Sequence, residues 1–391
     1  MTPGGGAPRL RPLRGADHRQ VLLQALQAHA AGEVPLVGDE RWSDEHWAEI
    51  VAAVEASTLP AEAAWATFTS GSSGRPRVVL RSAASWEVAF DAVDAALDAG
   101  PGDRILLPVH PVSSMTLFGL AHAAARTAGF SVPRSARLTA ADLDGPTLLH
   151  GTPWHLQDLV ELLEGGARCS IRSALVGGAA LDPELAARAR ARGLRVVGYA
   201  GAAELSFVAF DHGDGLRPLD GVEVRLRDHE LWVRTPQAAL TTLGGGPMRR
   251  DGDWLTVGDR ASLDDDGVLT LHGRADEAIL TAGATVSPAD VEAELERLDG
   301  VSAALVVGAP EPRAGQLVLA GVEVAPDGPS TAALRRAARD RLAPAQRPRR
   351  WHRVARLPRT GSGKIRRLGS AELLALPRLE EEPAGARGGI R

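Results

Sequence analysis

The sequence predicts an α/β chain in two parts: a large N-terminal α/β domain carrying a small β module, followed by a smaller α+β domain. Three observations lead there. Between Arg104 and Tyr199, strand-like and helix-like stretches alternate, the pattern of a parallel sheet covered by helices. After Asp211 the texture shifts to short alternating runs, Val222–Leu226 and Glu230–Arg234, which read as an antiparallel module. Beyond Arg274, Ser287 and Pro288 mark a new helix start among further strands, and 391 residues is more than one ordinary core accommodates.

In chain order, residues 1–17 read as a flexible tail, 18–275 as the N-terminal domain, 276–377 as the C-terminal domain and 378–391 as a disordered, Gly/Pro- and charge-rich end. His18–Ala31 has apolar residues at helical spacing, and Ser43 supplies an N-cap for a second helix to Ala56. Ala64–Phe68 is a strand. Then come Arg104–Pro108, Thr147–Leu149, Ser173–Val176 and Arg195–Tyr199 as strands, with helices at Leu117–Ala128, His155–Leu163 and Pro183–Arg192 between them. A sheet of this kind binds ligands at the carboxyl ends of its strands. Those ends are Thr69–Arg77, Val109–Met115, Gly177–Ala179 and Ala200–Glu204. Behind the helix at Ser287, strands at Ala303–Val307 and Leu317–Val324 and a helix at Thr331–Leu342 complete the second domain.

Composition excludes several classes. A net charge of −5 with no long basic run argues against a nucleic-acid partner. The single cysteine, Cys169, permits neither an internal disulfide nor a cysteine-based metal cluster, which fits a reducing cytoplasm. The N-terminal stretch lacks the apolar segment of a secretory signal, and no apolar run is long enough for a bilayer, so no membrane contact is expected. Asp264–Asp266 lacks the spacing and closing glutamate of an EF-hand and reads as a hairpin turn.

Of 44 lysine and arginine residues one, Lys364, is lysine, and it lies in the Gly/Ser-rich stretch LPRTGSGKIRR. An ammonium is a compact point charge that reaches a crowded oxyanion where a guanidinium does not. A second polar loop, Thr69, Ser70, Gly71, Ser72, Ser73 and Gly74, follows the strand at Phe68. Its glycines and hydroxyls suit a polyphosphate, although no Gly-Lys-Ser/Thr closes it as in a Walker loop.

Three stretches, TSGSSGRPR at 69–77, VGDRASLDDDGVLTLHGRADEAILTAGATVSPADVEAEL at 257–295 and LPRTGSGKIRR at 357–367, resemble in order the hallmark motifs of the adenylate-forming acyl-activating enzymes. The chain looks most like the short bacterial acyl-CoA synthetases of the o-succinylbenzoate-CoA ligase type. The resemblance implies a large AMP-binding domain and a mobile C-terminal domain. It implies attack of a small-molecule carboxylic acid on the α-phosphate of ATP, then displacement of AMP by the thiol of CoA, with Mg²⁺ assisting. A non-CoA acceptor (an acyl-carrier protein thiol, an amine, or nitrite as the activated acid) and a nonenzymatic nucleotide-binding protein are the alternatives.

By the same resemblance, Thr69–Gly74 wraps the β- and γ-phosphates, and Glu204 helps hold Mg²⁺. Asp259 and Arg274 contact the ribose, and Gly177, Gly178 and Ala179 flank the adenine and acyl pockets. Asp276 is the hinge, Gly283 faces the pantetheine channel, and Lys364 bridges the reacting carboxylate and the α-phosphate. The chain departs from the pattern in VGYAGAAELSF, where Ala200 stands at the adenine-stacking aromatic and Ala203 at the family's threonine. Tyr199, the sole tyrosine, lies one position early. Pro111, or in other alignments Ser113 or Ser114, falls where relatives carry a histidine or aromatic gating the acyl site, and His110 is adjacent to it. Phe118, Met115, Leu205 and Phe207 are candidates for the acyl pocket or for core.

Overall fold

A computed structural model of the chain describes residues 8–69, 77–135, 137–244, 248–274, 279–281, 284–311, 315–360 and 363–380. The chain divides into two compact units. The larger runs to residue 257, resumes over 263–270 and includes Gly363 and Lys364; the smaller comprises 258–262, 271–360 and the residues after 364. Residues 258–262 and 271–274 therefore group with the second unit, ahead of the boundary at 275 read from the sequence.

The larger unit opens with a strand, β1 (Arg9–Leu13), which corrects the reading of residues 1–17 as a tail. In RLRPL the arginines and proline conceal two anchors, Leu10 and Leu13, both buried. They hold β1 in parallel register with β2 (Glu33–Val37), from Arg9 opposite Glu33 to Leu13 opposite Val37. Helix α1 (His18–Ala30) makes the crossover, its first turn capped by Asp17, which accepts from the Gln20 N–H at 3.0 Å. Helix α2 (Asp44–Glu55) starts at Ser43, whose hydroxyl accepts from the His46 N–H. Strands β3 (Trp65–Phe68) and β4 (Val78–Arg81) form an antiparallel hairpin closed by the Thr69 N–H donating to the Arg77 carbonyl at 3.0 Å. The strand Thr241–Leu243 completes this sheet on the far side of β4.

Two helices not anticipated from the pattern, α3 (Ala84–Glu87) and α4 (Phe90–Leu97), lead into the second sheet. Its parallel part is β5 (Ile105–Leu106), α5 (Ser114–Arg126), β6 (Phe130–Ser131), β7 (Leu148–Gly151), α6 (Pro153–Glu164), β8 (Ser173–Val176), α7 (Pro183–Ala191) and β9 (Arg195–Ala202). Leu148 pairs with Ser173 and Ser173 with Arg195, so the carboxyl ends of β7, β8 and β9 share one edge. β7 and β8 are buried along their whole length because both faces are covered. Proline at the first turn of α6 and of α7 uses a position where no N–H is needed. Antiparallel strands β10 (Ser206–Asp211) and β11 (Leu216–Pro218) continue the sheet. The small module pairs Glu223–Arg227 with Glu230–Arg234, and Trp254–Thr256 with Arg249–Asp251.

In the smaller unit, Val301–Glu311 and Gly315–Val324 form a long antiparallel pair, flanked by Ile279–Thr281 and Ala284–Val286 and by the parallel strand Arg350–Val354. Helix Pro288–Glu296 lays Val291 and Leu295 on this sheet and begins at Ser287, whose hydroxyl donates to the His272 carbonyl at 2.7 Å. The last described residues are ordered: the Leu379 N–H donates to the Arg353 carbonyl at 2.9 Å and its side chain packs on the core, so the sequence reading of a disordered end from 378 is corrected there. Among the described residues, no helix is long and apolar enough to cross a membrane.

Candidate active site

β8 ends in a turn that only glycine fits. The Gly177 N–H donates to the Gly151 carbonyl at 3.1 Å, joining the ends of β7 and β8. The ring of Tyr199 covers Gly177 so closely that a Cβ there would stand 2.2 Å from Tyr199 Cζ. Gly178 has φ +88°, and a Cβ on it would lie 3.0 Å from Lys364 Cε, 3.5 Å from Met115 Cε and 3.6 Å from Thr152 Cγ2. The stem of the sole lysine thus rests against the glycine turn at the carboxyl edge of the parallel strands. Gly363 packs on Trp154 in the same way, 3.0 Å from Cε3 to the position its Cβ would take. Ala179 is exposed beside this turn.

Tyr199 and Ala200 are neighbours on β9, and strand pleating sends their side chains to opposite faces. Tyr199 is on the Gly177 face, edge-to-face with Phe207 at 4.8 Å, and burial pushes its phenol well above the ordinary value. Ala200 is buried. The ring cannot take over the Ala200 side by a small adjustment; that would require the strand to slip by one residue. Phe118 meets Phe207 at 4.7 Å and Trp86 at 5.9 Å, so these aromatics run as a continuous wall from Trp86 to the Gly177 turn. Phe118, Phe207 and Leu205 are all buried.

Glu204 sits in the tight turn between β9 and β10 and is buried, 9% exposed. The turn needs Gly201, since a Cβ there would stand 2.0 Å from the Ser206 carbonyl oxygen. The Glu204 carbonyl accepts from the Ala239 N–H at 2.8 Å. A buried carboxylate requires a counter-charge. It faces Arg81, which is fully buried at the end of β4 and which the sequence reading passed over. Arg81 Nη1 donates to the Ala203 carbonyl at 2.5 Å, Nη2 donates to the Gln237 carbonyl, and the guanidinium stands 5.5 Å from the Trp86 ring centre. Burial pushes the guanidinium down to about 9 against the pull of Glu204, leaving it charged at neutral pH. An arginine closing the otherwise apolar run Val-Val-Leu-Arg was the signal available.

His110 lies in the loop before α5, buried, with Nε2 2.8 Å from Glu40 and 3.9 Å from Asp39. Among the described residues, His18, Glu40 and His110 form a group with ligand atoms mutually within 4.8 Å. The Val112 N–H donates to His110 Nδ1 at 3.1 Å, so the neutral ring carries its proton on Nε2 and gives it to Glu40. A metal on Nε2 would require the opposite tautomer and the loss of the Val112 bond. Burial holds this imidazole below its ordinary pKa despite Asp39 and Glu40. The pair anchors the loop that starts α5, where Ser113 bridges to Phe68, the residue before Thr69.

Thr69 is half-buried at the end of the β3 and β4 hairpin, and Asp259 opens the strand Asp259–Leu263, half-buried, after Gly258 at φ +88°. Of Arg274, the last residue of Leu269–Arg274, only the backbone is described. Ser70, Gly71, Ser72, Ser73, Gly74, Asp276 and Gly283 lie outside the described residues. Within the larger unit, then, the fold brings Lys364, Gly177, Gly178 and Tyr199 together; Asp259 and Arg274 belong to the smaller unit.

The family model described as AMP-binding enzyme matches residues 8–240, and that described as AMP-binding enzyme C-terminal domain matches residues 290–364. The chain belongs to the AMP-binding enzyme family. Within the family it is 26% identical over 325 residues to an uncharacterized acyl-CoA ligase, YhfT, of Bacillus subtilis, covering 77% of this chain and 66% of that protein. It is 30% identical over 316 residues to the 2-succinylbenzoate-CoA ligase of Salmonella typhimurium, covering 77% and 67%. The chain therefore spans about two thirds of the length of these curated relatives. Its fold matches that of o-succinylbenzoate CoA synthetase from Bacillus subtilis, solved in complex with the acyl-adenylate OSB-AMP, at TM-score 0.80, 20% identity and coverage of 96% of this chain and 89% of that one.

Proposed function

We propose that this AMP-binding enzyme is an ATP-dependent carboxylate-CoA ligase. A carboxylate oxygen of a small organic acid forms a bond to the α-phosphorus of ATP and pyrophosphate leaves. The thiol sulfur of CoA then bonds to the acyl carbon, AMP leaves, and the thiol proton passes to solvent. The named activities of the acyl-CoA and 2-succinylbenzoate-CoA ligases support this class of reaction.

The observation that carries the reading is the seat of Lys364 against Gly178. An ammonium at the carboxyl edge of a parallel sheet, over a turn with no side chain in the way, can approach two oxyanions at once, the acid's carboxylate and the α-phosphate. Tyr199 and Gly177 give that edge a flat apolar wall suited to a planar group. Glu204 fits a Mg²⁺ ion: it is a hard oxygen donor in a turn at the same edge, and with one carboxylate the ion would keep phosphate oxygens and waters as its other ligands. Such an ion supplies charge stabilisation on phosphate oxygens. Lys364 contributes the same kind of stabilisation from the protein, aimed at the oxygens that gain charge as the bond to phosphorus forms.

Acid-dependent exchange of pyrophosphate into ATP tests the reading. Lys364→Ala should lower it by about 10²–10³-fold, the usual loss for one transition-state donor. Unchanged exchange would remove the lysine from the chemistry. Product masses with and without CoA then identify the acceptor, and persistence of acyl-AMP in the presence of CoA would reject the thioester step.

A further inference from the structure

The guanidinium of Arg81 has no part in the reaction above, yet it is the most deeply buried cation near it. It is 0% exposed, ends the strand that begins at Val78, and spans to two other segments of chain. One is the turn holding Glu204, through the Ala203 carbonyl at 2.5 Å; the other is the Gln237 carbonyl. Gln237 in turn holds β10, accepting from the Phe207 N–H at 3.2 Å and donating to the Phe207 carbonyl at 3.1 Å. The loop after it returns to both sides of the junction, with the Ala239 N–H on the Glu204 carbonyl at 2.8 Å and the Leu240 N–H on the Leu80 carbonyl at 2.9 Å. Three segments distant in sequence, ending at residues 81, 204 and 240, therefore close around one planar cation.

A polar bridge of this kind is expensive to bury, and an aliphatic side chain of similar length would fill the space without desolvating a charge. The fork supplies what a hydrocarbon cannot: fixed donor directions toward two carbonyls, with a stem that has no freedom left. We propose that Arg81 is a positioning residue of the nucleotide site, setting the turn that carries Glu204 against the strand that follows the phosphate-loop stretch. It touches neither reactant; it acts through the Ala203 carbonyl and the carboxylate of Glu204. The inference rests on the ligase reading for the identity of the nucleotide, and concerns the ATP side of the reaction rather than the acid side.

The test uses the full chain and two readouts: ATP affinity by calorimetry with Mg²⁺ and no acid, and pyrophosphate exchange with acid and ATP varied separately. Arg81→Ala should weaken ATP binding and kcat/KM for ATP by about 10–100-fold, the range for residues that orient a site from behind, while KM for the acid stays near the wild-type value. Millimolar guanidinium should restore much of the loss, and urea, a neutral molecule of the same shape, should not. Wild-type ATP affinity in Arg81→Ala would overturn the proposal, as would rescue by urea as strong as by guanidinium, or a loss confined to the acid. Should Arg81→Ala fail to fold, Arg81→Lys decides. It keeps the charge but cannot bridge both carbonyls with a planar fork, so it should show the ATP-side loss, and wild-type ATP affinity in it overturns the proposal. If the wild-type protein gives no acid-dependent exchange, the ligase reading falls, while calorimetry on the same variants still judges Arg81.

Discussion

Arg81 in the larger unit is fully buried, whereas Glu296 in the smaller one is exposed with only its carboxyl end drawn against the sheet, and their surroundings differ in sign. Arg81 faces an acid, Glu204, and gives its protons to two carbonyls. Glu296 accepts one N–H, from Ala304 at 3.1 Å, and has another acid, Glu292, one helical turn away; burial first and that like charge next raise its pKa to about 7, with Arg359 and Arg367 only partly opposing. Compensated burial yields a charge that stays fixed across the physiological range. Partial desolvation beside a like charge yields a group that titrates within it.

Breaking the compensated pair should have the largest effect on stability. Glu204→Gln leaves Arg81 without its counter-ion, and the denaturant midpoint should fall by the equivalent of about 3 kcal/mol with little change in slope. An unchanged midpoint would mean the two carbonyls alone satisfy the guanidinium. Next comes Glu296. Its folded pKa lies above the 4.5 of an ordinary glutamate, so the folded state binds the extra proton between those values. Stability is then greatest below about pH 4.5 as far as this group is concerned, declines as pH rises through about 7, and is level beyond. Because the side chain is exposed and solvent screens it, the span is about 1 kcal/mol or less. Glu296→Gln should raise the thermal midpoint at pH 8 and flatten its slope between pH 5 and pH 8; a parallel slope would sink the assignment. The smallest effect is expected where the pair is exposed. Arg234 and Glu223 form such a pair across the small β module, with nothing to desolvate. Arg234→Gln should leave the thermal midpoint within experimental scatter.

The legible parts of the fold were those where periodicity and local chemistry agree. Ser173–Val176 and Glu230–Arg234 have the bounds the sequence suggests, and Ser287 caps the helix that Pro288 begins. β1 was illegible because its pairing partner lies beyond a whole helix and its face shows only two leucines among arginines and a proline. Arg81 was illegible because nothing in a strand of four residues reveals that its last side chain turns inward toward a loop more than a hundred residues on. The candidate site divides the same way. Motif order nominates Lys364 and Gly178, but their meeting is a product of the folded chain; the displacement of Tyr199 from Ala200 is visible in sequence, and the face it chooses is not.

Having a single lysine gives the protein a property few enzymes possess. Reductive methylation with ¹³C-formaldehyde labels primary amines, and within these 391 residues Lys364 offers the one side-chain amine. Its side-chain resonance is seated on the Gly178 turn, so nucleotide and acid arrivals at that spot become observable in the native sequence.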